Sequence, residues 1–96
     1  MENSLHTFSN VTSTYLQTYR SILNNMIQSI TKVEPSDSIS YNFILQILPH
    51  CQAAIQMSEN ALQYKIYPDL KSALETSRIL QEKEVLQIQY LLQCIE

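Results

Sequence analysis

Residues 43–64 read FILQILPHCQAAIQMSENALQY, and their periodicity decides the fold. Two stripes at three-four spacing run through and just beside them. One is Ile44, Ile47, Leu48, Cys51, Ala54, Ile55, Ser58, Ala61 and Leu62. The adjoining one is Phe43, Ile47, His50, Ala54, Met57, Ala61 and Tyr64. Apolar residues recurring at this spacing mark a helix with a buried side. Two adjoining stripes make a face wider than one partner helix covers. Pro49 lies inside the pattern, where a proline removes a backbone donor and crowds the preceding turn, at a cost of about 3 kcal/mol or more. The spacing predicts a helix from about Ser38 to Tyr64, kinked or divided near Pro49.

Working outward, Glu34-Pro35-Ser36-Asp37-Ser38 is a break. Pro35 ends the helix before it, and Ser36, Asp37 or Ser38 can cap the helix after it. The preceding helix starts at about Ser4 or Ser9 and runs to Lys32. Its apolar positions are Phe8, Tyr15, Tyr19, Ile22, Leu23, Met26, Ile27, Ile30 and Val33. On the other side, Lys65-Ile66-Tyr67 is a connection. Pro68 suits a first helical position, with Asp69 favourable in the first turn. The third helix runs from Pro68 to about Cys94. Its seam is Leu70, Leu74, Ser77, Gln81, Glu84, Ile88, Leu91 and Ile95, apolar at both ends and polar in the middle.

The chain has 96 residues, which makes residues 1–96 one domain. It contains no glycine. A β protein of this size needs glycine at turns and bulges, whereas helices with short loops do not. The fold class is therefore all-α: an antiparallel up-down-up bundle of three long helices. A core this small leaves apolar surface over, so a homodimer or larger assembly is expected. The net charge is −3, without a basic run, which argues against nucleic-acid binding. No apolar stretch approaches the ~20 residues of a membrane span. The N-terminus has no basic region followed by an apolar one. A cytoplasmic protein with Cys51 and Cys94 as free thiols is the expectation.

Antiparallel register, estimated from the two connections, puts His50 level with Glu84 and Ala53 or Ala54 level with Gln81. It puts Tyr15 level with Met57 and Tyr19 level with Ala53. His50, Gln81 and Glu84 should then share a layer in mid-bundle, approached by Tyr15 and Tyr19, with His50 pairing Glu84. A buried carboxylate must be paired, protonated or metal-bound. Cys51 falls level with Lys83, about 16 Å of helix from Cys94, so no intrachain disulfide is expected.

Histidine, thiolate and thioether are soft ligands for copper or zinc. His50, Cys51 and Met57, with Glu84, are the candidate metal ligands. No Glu-x-x-His pair of the di-iron type occurs, and no nucleophile-base pair is well placed. His6 is expected to be solvated near a frayed end.

Residues 39 to 92 resemble a ferritin-like bacterial family of uncharacterised function. Its members carry M-I-P-H-H-x-x-A-I-x-M followed by Q-x-x-E-I-x-x-M. Here the first motif reads Ile47-Leu48-Pro49-His50-Cys51-Gln52-Ala53-Ala54-Ile55-Gln56-Met57. The second reads Gln81-Glu82-Lys83-Glu84-Val85-Leu86-Gln87-Ile88. Ser40-Tyr41-Asn42-Phe43-Ile44 looks like the segment that opens the family's motif helix. Cys51 stands where the family has a second histidine, and Ile88 where it has a methionine. In the first helix Leu23-Asn24-Asn25-Met26-Ile27 replaces a patch rich in methionine and histidine. The resemblance implies a ferritin-like bundle, and some members are linked to copper. With the ligand set thinned, it implies a non-enzymatic bundle protein whose own metal site is reduced or lost. The alternatives are a Cu(I) or Zn protein using His50, Cys51 and Met57, or a structural or protein-interaction module. No small-molecule substrate is implied.

Overall fold

The computed structural model of the chain describes residues 8–95. Three helices account for nearly all of it: α1 over Asn10–Thr31, α2 over Ile39–Leu62 and α3 over Pro68–Cys94. His6 and a helix start at Ser4 lie outside the described residues.

The helix ends follow from side-chain chemistry. Ser9 caps α1, its hydroxyl accepting from the Thr12 amide at 3.1 Å. Ser38 caps α2, accepting from the Tyr41 amide at 3.2 Å. Each satisfies one of the amides that a helix start leaves without a partner. Asn42 reaches back from α2 and ties down the break. Its Oδ1 accepts from the Ser36 amide at 2.8 Å, and its Nδ2 donates to the Ser36 carbonyl at 2.8 Å. Pro68 begins α3, with Asp69 in the first turn. With no glycine to take a left-handed cap, no described residue has positive φ. The first two helices instead relax into i to i+3 bonds, Val33 to Ile30 and Tyr64 to Ala61.

Pro49 does not divide α2, which runs unbroken from Ile39 to Leu62. The proline lacks the amide that would donate to Leu45, and the helix absorbs one missing bond because packing on both sides holds it.

The helices pack antiparallel, α1 on α2 and α2 on α3. No Cα of α1 comes within 8 Å of one of α3. The bundle is therefore open: a single layer with α2 in the middle. Its extents are 53 × 33 × 15 Å, and its smallest dimension is little more than the ~10–12 Å width of one helix. The radius of gyration is 16.8 Å, against about 12.5 Å for a compact chain of this length.

An open layer buries little. The buried apolar residues described are Ile22, Ile44, Ala53 and Val85. Among the described residues no large side chain is fully enclosed. On the α1 side of α2, Tyr15 meets Tyr64 edge to face at 5.9 Å, and the Asn60 amide donates to the Tyr15 carbonyl at 3.1 Å. On the α3 side, Arg78 pairs with Glu59 at 3.6 Å and with Glu82 at 3.2 Å.

Candidate functional site

Between α2 and α3 the register lies within a turn of that expected from the loops, between α1 and α2 Tyr15 meets Asn60 rather than Met57, and the predicted polar layer does not form around His50. Cys51 and Glu84 are close enough for the carboxylate to act on the thiol, one residue from the expected level. His50, however, is exposed on a flank of α2 rather than in the α2/α3 seam. Its Nδ1 lies 2.9 Å from the Gln46 carbonyl, one turn back on its own helix. A carbonyl only accepts, so Nδ1 carries the hydrogen and donates. Glu84 is exposed as well, and the two form no ion pair among the described residues. The physical reason is the open layer: α1 and α3 take opposite sides of α2, so no third helix covers the side on which His50 sits.

Gln81 does enter the seam, partly buried, with its Oε1 unbonded. Tyr19 stands at the surface, away from Glu84's helix. Cys51 is half-buried, and burial first, then the Glu84 carboxylate, pushes its thiol above the ordinary value of 9.0. Cys51 and Cys94 are both free. Met57 lies on the same flank as His50 but seven residues on, about 10 Å along the axis. Among the described residues no three histidine, cysteine, aspartate or glutamate side chains come together as a metal-holding group. The candidates His50, Cys51, Met57 and Glu84 are thus placed along two turns and two sides of α2 and on α3. They do not converge on one point.

What converges instead is apolar surface. The two sides of the layer can be told apart by groups that bridge neighbouring helices. The Arg78–Glu59 pair spans α2 and α3 on one side. Phe43 and Leu91 border a hollow between the same helices. Sixteen residues separate Glu59 from Phe43, which at 100° per residue puts them on opposite sides of α2. Between α1 and α2, a polar hollow contains Asn25, Gln52 and Gln56, and an apolar one contains Thr12, Ala61 and Tyr64. Gln52 lies on the Glu59 side and Ala61 on the Phe43 side, by the same periodicity.

Extending each helix from these markers gives two unlike surfaces. The Glu59 side carries Ser21, Gln28 and Lys32 of α1, Gln52 and Gln63 of α2 beside half-buried Leu45 and Leu48, and Lys71, Glu75, Glu82 and Gln89 of α3 beside exposed Leu86. The Phe43 side carries Leu16, Tyr19, Leu23 and Ile27 of α1, Ile39, Phe43, Ala54 and Met57 of α2, and Leu80 and Leu91 of α3, with exposed His50 and Glu84 set among them. Ile39 is 85% exposed, Leu80 60% and Phe43 57%. The second stripe of α2, read in the sequence as part of one wide buried face, is the floor of this apolar side.

Sequence reasoning did not single out Asn60, Glu59 or Arg78. Asn60 falls off both stripes of α2 because it faces α1, four residues beyond Gln56 and seven beyond Ala53. That third line of α2, Ala53, Gln56 and Asn60, is the signal that could have found it. No described helix is long and apolar enough to cross a membrane.

Comparison with protein-family models, with curated proteins and with solved structures gave no match.

Proposed function

We propose that this chain is a non-enzymatic helical interaction module, which docks another helical surface onto the Phe43 side of its layer. The observation that carries the reading is sidedness. The Phe43 side gathers Leu16, Tyr19, Leu23 and Ile27 of α1, Phe43, Ala54 and Met57 of α2 and Leu80 and Leu91 of α3, with His50 and Glu84 among them, while α1 turns only polar side chains to the other side. A contiguous exposed apolar patch of this extent marks an interaction surface, whereas scattered single residues do not. The kinship with the ferritin-like family belongs to this reading and rests on the Pro49-His50 and Gln81-Glu84 motif residues, whose metal function it takes as reduced or lost.

The test is to ask what covers that side in solution. The chain should either associate, with a mass that rises with concentration in light scattering, or enhance the fluorescence of an apolar dye such as anilinonaphthalene sulfonate. Ile27→Lys or Leu80→Lys should weaken whichever is seen, while Gln28→Lys or Gln52→Lys should not. A monomer that leaves the dye dark would sink the reading.

A second reading keeps His50 as a ligand for Cu(I) or Zn with Met57 or Cys51. It is favoured by one feature: the Nδ1 bond to Gln46 leaves Nε2 with the lone pair, the arrangement that a hydrogen bond from the other ring nitrogen imposes on metal-binding histidines. Anaerobic Cu(I) titration against a chelator tests it. Binding weaker than micromolar, or unchanged by His50→Ala, would end it.

A further inference from the structure

The apolar side of the layer is complementary to itself. Phe43 stands out near one end of α2, 57% exposed. From Phe43 to Ala61 is eighteen residues, about five turns and about 27 Å, so the two lie on the same side of the helix at opposite ends. Phe43 stands on the rim of the hollow it shares with Ile88 and Leu91, and at Ala61 the surface is hollow as well. A cavity of about 260 Å³ opens there, walled by Val11, Tyr15, Tyr64 and Leu70. An apolar cavity of about 150 Å³ is enough to hold benzene, so a phenyl ring fits with room for its neighbours.

We propose that the occupant of this side is a second copy of the chain, related by a two-fold axis that crosses α2 between His50 and Ala54. The α2 helices then run antiparallel, and each Phe43 enters the other copy's hollow at Ala61. The proposal rests on the reading of the Phe43 side as an interaction surface and names its partner. An exposed ring at one end and a hollow able to take it at the other suit an isologous interface, because each contact is made twice. At the axis His50 faces Ala54 of the second copy, a large side chain against a small one.

The area agrees. The chain exposes 7270 Å². A compact monomer of its mass, 11.1 kDa, exposes about 5,650 Å². The excess is about 1,600 Å², and a standard interface takes about 800 Å² from each partner. The α1 and α3 walls of the groove supply the rest of the contact, so the pair forms a two-layer, six-helix body.

The experiment uses the full chain. Light scattering should give twice 11.1 kDa, and Phe43→Ala should raise the dissociation constant by about a hundredfold, since the contact is made twice. Phe43 is exposed, so helical circular dichroism should stay unchanged. In a Cys51→Ser, Cys94→Ser background, Phe43→Cys combined with Ala61→Cys should yield a covalent dimer on mild oxidation. Those positions are about 27 Å apart within one chain, far beyond the ~7 Å that a disulfide spans. Phe43→Cys alone should not cross-link. A dimer in which the double variant stays uncross-linked overturns the geometry. A monomer at high concentration that binds the apolar dye overturns self-docking and leaves the surface for a different protein. A monomer that does not bind the dye overturns the interaction reading itself.

Discussion

Asn60, at 3% exposure, is more enclosed than any of the buried apolar residues described. Its amide donates to the Tyr15 carbonyl, while its Oδ1 has no protein partner. Asn60→Ala should cost about 1 kcal/mol, the net worth of one such bond, read as a shift in the urea midpoint. Cys51 makes a prediction with a sign. Its thiol titrates above 9.0 in the folded chain, because of burial and the Glu84 carboxylate. A raised thiol value means that the folded state holds its proton longer than the unfolded one. The stability it contributes is present below 9.0 and is lost as pH rises through the folded value. Cys51→Ser should flatten that alkaline loss in a denaturation series. Cys94 is exposed and should react with iodoacetamide before Cys51, while Glu84→Gln should speed Cys51 by removing one of the two causes. At this scale the sequence was only partly readable. The level of His50 was correct to within a turn, as the Glu84 carboxylate acts on the adjacent Cys51. Its side was not, because a stripe spanning both His50 and Cys51 does not say which flank a neighbour will cover.

The elements themselves were legible almost to the residue. Ser9, Ser38 and Pro68 each announce a helix start by a local mechanism that needs no tertiary partner. Ser38→Ala should therefore cost about 1 kcal/mol, with faster amide exchange at Tyr41, whose amide it caps. Pro49 shows the limit of local reasoning. Its propensity cost argues for a break, yet α2 continues because its two sides are pinned by α1 and α3. Whether a proline breaks a helix is decided by what packs against it, which the sequence of one helix does not contain. The same holds for the two stripes of α2. Their combined width was correctly read as more than one partner could cover. Which part stays open depends on α1 choosing the Ala53 line, and that line is marked by glutamine and asparagine rather than by large apolar residues.

For the whole molecule, the open layer governs stability. Few side chains are well buried, so little of the apolar surface is removed from water within one chain. If a second copy covers the Phe43 side, the melting temperature should rise with protein concentration, by mass action. Calorimetry across a hundredfold concentration range checks this, and a constant melting temperature would contradict it. Truncating the seam should be severe in so small a core. Ile44→Ala, at a residue 8% exposed, should cost about 2–5 kcal/mol. The all-α class and antiparallel order followed from the absent glycine and the two short connections. The openness did not, because periodicity reports how wide a face is and not whether its neighbours close around it.

The order of contacts has a kinetic consequence. Each helix touches only its neighbour in sequence, so the chain is two helical hairpins that share their middle member. Contacts can zip outward from the two connections to pairs as distant as Tyr15 and Asn60, and helical bundles of this kind fold in microseconds to milliseconds. The order of contacts also uncouples the flanks. α1 can swing away without disturbing α3, and α3 without disturbing α1, whereas neither hairpin survives the loss of α2. Native-state exchange should then separate the molecule into three tiers of protection, with the proline-bearing helix opening last.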